Sequence, residues 1–292
     1  MLSQESMSAD NVIPFVFDAL PVRGALIHLS RAWRRMLRDH DYDAIVQETL
    51  GHAAAATGLI AQSLKFDGAV TLQIQGAGDL CMLVMQSTSE LELRGMATPA
   101  AEITAASFDE LMQNAHCAIT VDSSEKPYQG IVEVDQTSLA ASLEHYFQRS
   151  VQVPSHVALV SDNSLAAGVL LQQMPGQQIE EDDWKRLGFL AATLKTDDFP
   201  GADGIEVIGR LFAEDDVRVF ARQRVVFRCR CSMQRAEEVL RMLGEGETRE
   251  ALEEQGRIEV TCEYCGRRRS FDSIDITKLF VDNVVSGPGN VQ

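Results

Sequence analysis

Positive charge is scarce in this chain of 292 residues: 26 lysines and arginines stand against 43 aspartates and glutamates, a net charge of −17. That balance argues against a general nucleic-acid binder, which needs clustered Lys and Arg to neutralise phosphates, and the acidity reads instead as a solubilising surface. Long apolar runs are missing too. None approaches the roughly eighteen residues that span a bilayer, and no basic-then-apolar leader opens the sequence, so the expectation is a cytosolic protein with no membrane partner. Histidine is absent after His156, all six (His28, His40, His52, His116, His145 and His156) coming before the last quarter of the chain. Phosphate loops and nucleophile elbows are lacking, and the GAGD stretch at Gly76–Asp79 has neither the Gly-x-Gly-x-x-Gly pattern nor a following helix. The acidic pairs Glu180–Glu181 and Asp182–Asp183 suit the start of a helix better than acid/base catalysis. Enzymatic activity is therefore not expected.

What the chain does have is cysteine in a tight pattern. Of its six cysteines, four fall near the end as Cys229-x-Cys231, a gap of thirty residues, and Cys262-x-x-Cys265. Two close pairs can converge on one tetrahedral zinc ion, and with no histidine nearby the ligation is all sulfur, which selects zinc over hard cations. Zinc holds the thiols as thiolates, the form that oxidants attack, so metal binding and redox sensitivity reside in the same atoms. In a domain of some fifty residues the ion would supply much of the folding free energy. The remaining thiols, Cys81 and Cys117, lie in apolar strand contexts and are expected to be buried and inert.

Elsewhere the periodicity predicts an α+β fold. Val22–Leu29 reads as a strand, Arg31–Arg38 as a helix with a basic solvent face, and Asp43–Lys65 as a long alanine-rich helix. Period-two strands follow at Val70–Ile74, Leu80–Met85, Glu90–Gly95, Ala118–Val121, Tyr128–Val134, His156–Val160 and Ala166–Leu171, with an amphipathic helix at Ser138–Arg149 among them. This predicts a core domain over 1–176. After Pro175-Gly176 the composition shifts: Gln177–Asp216 holds eleven acidic side chains against four basic ones. Its apolar stripes, Trp184, Leu187, Ala191 and Leu194, then Ile205, Ile208, Leu211 and Phe212, suggest an acidic helical linker over 177–226. Narrow stripes imply weak docking and easy release, though a permanently packed helix pair fits the pattern as well. A small zinc domain over 227–285, with helices near Met233–Leu243 and Glu247–Gln255 and a strand at Arg257–Thr261, and a frayed tail at 286–292 complete the expectation.

Three functions are compatible with the cysteines. A metal-linked redox switch is one. A zinc-ribbon module using Arg267, Arg268 and Arg269 on RNA or a ribosome is a second, weakened by the acidity of the chain. A thiol-disulfide oxidoreductase built on Cys262 and Cys265 is a third, weakened by the absence of thioredoxin-like strand and helix order around the pair.

The motifs FRCRCS and CEYCG, together with LKFDG at Leu64–Gly68, RGM at Arg94–Met96, YQG at Tyr128–Gly130 and EHYFQRS at Glu144–Ser150, resemble the redox-regulated holdase family of 33-kDa heat-shock proteins. The resemblance runs from about Val22 to Ile276. It implies an ATP-independent chaperone that is inactive while reduced and bound to one zinc ion through Cys229, Cys231, Cys262 and Cys265. On oxidation it would form Cys229–Cys231 and Cys262–Cys265 disulfides, release zinc, lose order in the zinc domain and linker, dimerise and hold unfolding client proteins. The linker residues expected to meet clients are Trp184, Leu187, Leu194, Ile208, Leu211 and Phe212.

Overall fold

Alternation of large apolar side chains begins earlier than expected, at Asn11. The computed structural model describes residues 10–123, 127–132, 134–135 and 137–285, so the expected frayed tail lies outside the described residues. Elements follow in the order β1 (Asn11–Phe17), β2 (Val22–Leu29), α1 (Arg31–Leu37), α2 (Ala44–Ser63), β3 (Gly68–Gln75), β4 (Leu80–Thr88) and β5 (Glu92–Pro99). Next come α3 (Phe108–Leu111), β6 (His116–Ser123), β7 (Tyr128–Val132), α4 (Leu139–Tyr146), β8 (Ser155–Ser161) and β9 (Ala166–Gln173). After these lie α5 (Glu181–Ala192), α6 (Gly204–Leu211) and the short strands β10 (Val217–Val219), β11 (Gln223–Arg224) and β12 (Val226–Phe227). The chain then forms α7 (Met233–Leu243), α8 (Glu245–Gln255), β13 (Ile258–Thr261), β14 (Arg268–Phe271) and α9 (Ser273–Val285). The mixed α+β class is as the periodicity predicted.

Two compact units result, one ending at Arg228 and the other beginning at Cys229. The first contains two sheets, ordered β10-β1-β2-β9-β8 with β11 also on β1, and β12-β5-β4-β3-β6-β7. Helix α2 packs against strands of both. Its Ala53–Ala56 run and residues on through Ala61 are buried, because a helix apolar on every side must be covered on every side. Close approach is what alanine and glycine permit: a Cβ on Gly58 would lie 2.3 Å from the Ile27 side chain. Val12, Ala25, Ile27 and Leu29 of the first sheet thus share one core with α2 and with Val70, Leu72, Leu83 and Leu93 of the second.

The opposite face of the first sheet forms a second core. Strand pleating sends Ile13, Phe15 and Phe17 to the side away from Val12, where they join Val22, Leu26, Val169 and Leu171. Helices α5 and α6 cover them with Leu187, Ala191, Val207, Ile208 and Leu211, and Leu194, Phe199 and Phe212 from the adjoining loops join the cluster. The segment read from sequence as a weakly docked helical linker therefore lies within the first unit. It is part helix and part strand, since β10 and β11 pair with β1 and β12 runs parallel to β5.

Strand β1 escaped the sequence reading because Pro14 interrupts it. Proline removes one N–H donor, but Pro14 keeps its carbonyl, which accepts from Phe220 N at 2.8 Å. Cys117 is buried as expected, and burial pushes its thiol up to about 12. Cys81 is exposed, contrary to expectation: the pairing of β4 with β5 shifts register between Leu80 and Met82, which carries the intervening side chain outward. The helix expected over Ser138–Arg149 holds as α4 and passes into a π-helical turn, Phe147–Val151, closed by Gln152 at φ +58°.

The family-like motifs occupy tight places in this unit. Gly68 of LKFDG has φ +133°, and a Cβ there would meet the Asp122 carbonyl oxygen at 1.9 Å. Gly130 of YQG lies against Tyr146 of EHYFQRS, whose hydroxyl bonds with Tyr128. Glu144 Oε1 accepts from Val157 N at 2.7 Å, fixing α4 on β8.

Candidate metal centre

Each cysteine pair sits on a turn that local chemistry dictates. Cys262 and Cys265 occupy the tip of the β13–β14 hairpin, which is closed by Cys262 N donating to Arg267 O at 3.0 Å and Gly266 N to Cys262 O at 2.8 Å. Gly266 takes φ +63°, a left-handed conformation that a side chain would oppose. Cys229 and Cys231 lie just before α7, whose start is set by Ser232, the hydroxyl accepting from Arg235 N at 3.1 Å. Within each pair a backbone N–H addresses a sulfur: Cys231 N–H toward Cys229 Sγ, and Arg267 N–H toward Cys265 Sγ.

The two turns converge. All four Sγ atoms lie within 4.8 Å of one another. Contacts cross from one pair to the other, Cys229 to Cys262 at 3.6 Å and Cys231 to Cys265 at 3.5 Å. A tetrahedron of sulfurs with metal–sulfur bonds of about 2.3 Å has edges of about 3.8 Å. The cluster has that size, and it is far wider than the about 2.05 Å of a disulfide. The residues present therefore fit a single ion. Their electrostatics agree: burial raises the Cys229 and Cys265 thiols. Cys231, against the same desolvation, is held low by hydrogen bonds from Cys265, Cys229, Cys262 and Arg269.

Around the centre the second unit is lightly built. Its core comprises Ala236, Leu240, Phe271, Ile276 and Leu279, with Leu252, Ile258, Val260 and Phe280 half-buried beside it. So small a core is marginal for a domain of this size, and a cross-link through the four sulfurs is the expected remedy. Arg269, grouped by sequence with Arg267 and Arg268 as a candidate RNA contact, turns instead toward Cys231, while Arg267 and Arg268 stay exposed. Only its odd position in the β14 strand, opposite Val260, hints at this.

The six residues expected to bind clients are brought together, but under cover. Leu187, Leu194, Ile208, Leu211 and Phe212 are buried in the second core of the first unit, and only Trp184 is half-exposed. Trp184 stacks on His156 at 4.1 Å between ring centroids, and its carbonyl lies 3.2 Å from His156 Nε2. The apolar sheet face beneath, Ile13, Phe15, Phe17 and Leu26, was not anticipated as part of this surface. Among the described residues no helix is long and apolar enough to cross a membrane.

The family model for the Hsp33 protein matches residues 10–272. The 33 kDa chaperonin of Nitrosococcus oceani is 41% identical over 276 residues, covering 94% of this chain and 96% of its own. That of Methylobacillus flagellatus is 39% identical over 287 residues, covering 97% and 98%. In fold the chain is similar to the crystal structure of the 33 kDa chaperonin from Thermotoga maritima, with a TM-score of 0.78 at 22% identity, covering 95% of this chain and 100% of that one. Fold, site and relatives together define a chaperone rather than an enzyme. The chain belongs to the Hsp33 family.

Proposed function

We propose that this protein is a redox-regulated, ATP-independent holdase, inactive while one zinc ion is bound by Cys229, Cys231, Cys262 and Cys265. The observation that carries the reading is the convergence of four thiols, with contacts that cross from one pair to the other. An ion held there ties the stretch leading out of the first unit to the β13–β14 hairpin. Oxidation within each pair, Cys229 to Cys231 and Cys262 to Cys265, cuts that tie. Disulfides across the pairs would preserve it.

The step balances with peroxide as oxidant. Four thiolates give up four electrons and become two disulfides, two peroxide molecules take up those electrons and four protons to form four waters, and the ion leaves. Without it the second unit keeps only a small core and unfolds. The segment over 177–226 then loses its anchor at one end. Release of α5 and α6 uncovers Leu187, Leu194, Ile208, Leu211 and Phe212 together with the sheet face they shield. Both surfaces offer apolar area to an unfolding protein in the cytoplasm or to a second copy, so the active form is a homodimer. The flanking acidic side chains keep it dispersed.

Native mass spectrometry before and after peroxide, run beside light scattering of a heat-unfolding client, tests the whole sequence of events. The expected result is loss of one zinc ion and formation of two disulfides per chain, a shift to dimer, and suppression of scattering by the oxidised form alone. Equal suppression by the reduced, zinc-loaded protein would overturn the switch.

A further inference from the structure

The basic face of α1 has no part in the metal centre, and it borders a cleft of about 450 Å³ within the first unit. Arg31, Ala32 and Arg35 form one wall, and Arg224, Val225, Val226 and Phe227 the other, with Asp10 between them. In a chain where carboxylates outnumber basic side chains 43 to 26, exposed arginines readily find acids, as Arg218 does with Asp18 and Arg222 with Asp203. Arg31 and Arg224 do not: among the described residues neither side chain makes an ion pair or hydrogen bond, although both are exposed. Arg35 lies 5.7 Å from the Phe227 ring centroid and 3.1 Å from the exposed Asp39 carboxylate.

Asp10 is the one acid in the cleft, and its carboxylate is already committed. It accepts from Ser30 N, Arg31 N and Ala32 N at 2.5, 2.9 and 2.8 Å, so it caps α1 from outside the helix. Those three donors hold the Asp10 carboxylate at the start of α1. Three arginines thus line the cleft, Arg31 and Arg224 unpaired and Arg35 shared with Asp39, beside the buried Val225.

We propose that this cleft binds a small anion carrying two or more phosphoryl groups, bridged between Arg31 and Arg35 on α1 and Arg224 on β11. Guanidinium is the side chain best matched to phosphoryl oxygens, through paired N–H donors. Arginines on two walls of a cleft this size suit a linked chain of phosphoryl groups better than a single oxyanion. The site lies apart from the metal centre, but its Arg224 wall belongs to the 177–226 segment, so it is a site of the reduced, zinc-bound form under the proposed function.

Calorimetric titration of the reduced, zinc-loaded full chain with tripolyphosphate in a chloride buffer tests this. The expected result is saturable one-to-one binding that weakens at least about tenfold in an Arg31→Gln/Arg224→Gln variant, with two paired charges lost. A matched variant, Arg218→Gln/Arg257→Gln, should bind as the wild type does. Arg31→Lys/Arg224→Lys, which keeps the charge, should bind between the two, and a rise in melting temperature with tripolyphosphate should follow the same order. Adenosine triphosphate binding as tightly as tripolyphosphate would identify nucleotides as a source of the ligand, and weaker binding would identify free oligophosphate. No saturable heat, equal loss in both glutamine variants, or tighter binding of a single-stranded oligonucleotide than of tripolyphosphate would overturn the proposal.

Discussion

His52 is the residue at which burial has its clearest electrostatic consequence. It lies on α2 with burial lowering its imidazole to about 4, and Glu48, exposed and 3.9 Å away, does not offset the desolvation. The folded protein therefore keeps His52 neutral where the unfolded chain, titrating near 6.5, would protonate it. Because the folded value is the depressed one, its contribution to stability is complete above about pH 6.5 and is lost as the pH falls toward 4. By about pH 5 the loss is about 2 kcal/mol. Urea unfolding of the first unit, followed by tryptophan fluorescence, should show this fall between pH 6.5 and 5, and His52→Gln should flatten it. An unchanged slope in the variant would show that other groups are responsible. The adjacent Ala53–Ala56 run suited close packing, but the sequence did not say that His52 would share it. That burial came with the alanine-rich helix, once that helix proved to be covered by sheets on both sides.

At the scale of elements, α5 and α6 carry the most consequence. Their apolar stripes were legible as helical spacing, and five of the six residues picked from them are buried. What spacing could not convey was the breadth of their contact. Phe212 meets Phe15 and Phe17 at ring-centroid distances of 5.8 and 5.1 Å, and both partners lie on a strand that Pro14 had concealed. The helices are consequently held by a full core rather than by narrow stripes, and their release needs the loss of a neighbour. An acid placed under α6 should substitute for that loss. Ile208→Asp buries a carboxylate at a site 1% exposed, at a cost of about 4 kcal/mol or more if the helix stays docked, so the helix should undock instead. The reduced, zinc-loaded variant is expected to be cleaved faster by trypsin within α5–α6 and to suppress client aggregation without peroxide. If its holding still required peroxide, the buried face of these helices would not be what oxidation uncovers.

The whole molecule is two units with separate cores, and its optical probes divide in the same way. Both tryptophans, Trp33 and Trp184, belong to the first unit, while α7, α8 and α9 belong to the second. Chelation under reducing conditions should abolish the far-ultraviolet helical signal of α7–α9. In a Trp184→Phe variant the remaining Trp33, 0% exposed, should keep its buried emission. Simultaneous loss of both signals would mean that the first unit also depends on the metal. The thermal scan should likewise resolve a transition of the second unit that falls on chelation, since ligand binding stabilises the unit that contains the site.

Sequence by itself determined the chemistry of the centre, because ligand type and close spacing act through a few adjacent residues: two thiol pairs, no competing histidine, and a glycine where the second turn needs φ above zero. It also determined most strands and helices of the first unit, since their periods of two and 3.6 are local properties. Tertiary structure alone decided that the two thiol pairs meet, that Arg269 reaches Cys231, that Cys81 faces outward and Cys117 inward, and that the acidic segment closes over a sheet. Each of these depends on which distant surfaces meet. Burial is a property of the pair of surfaces, and no spacing within one of them can state what lies opposite.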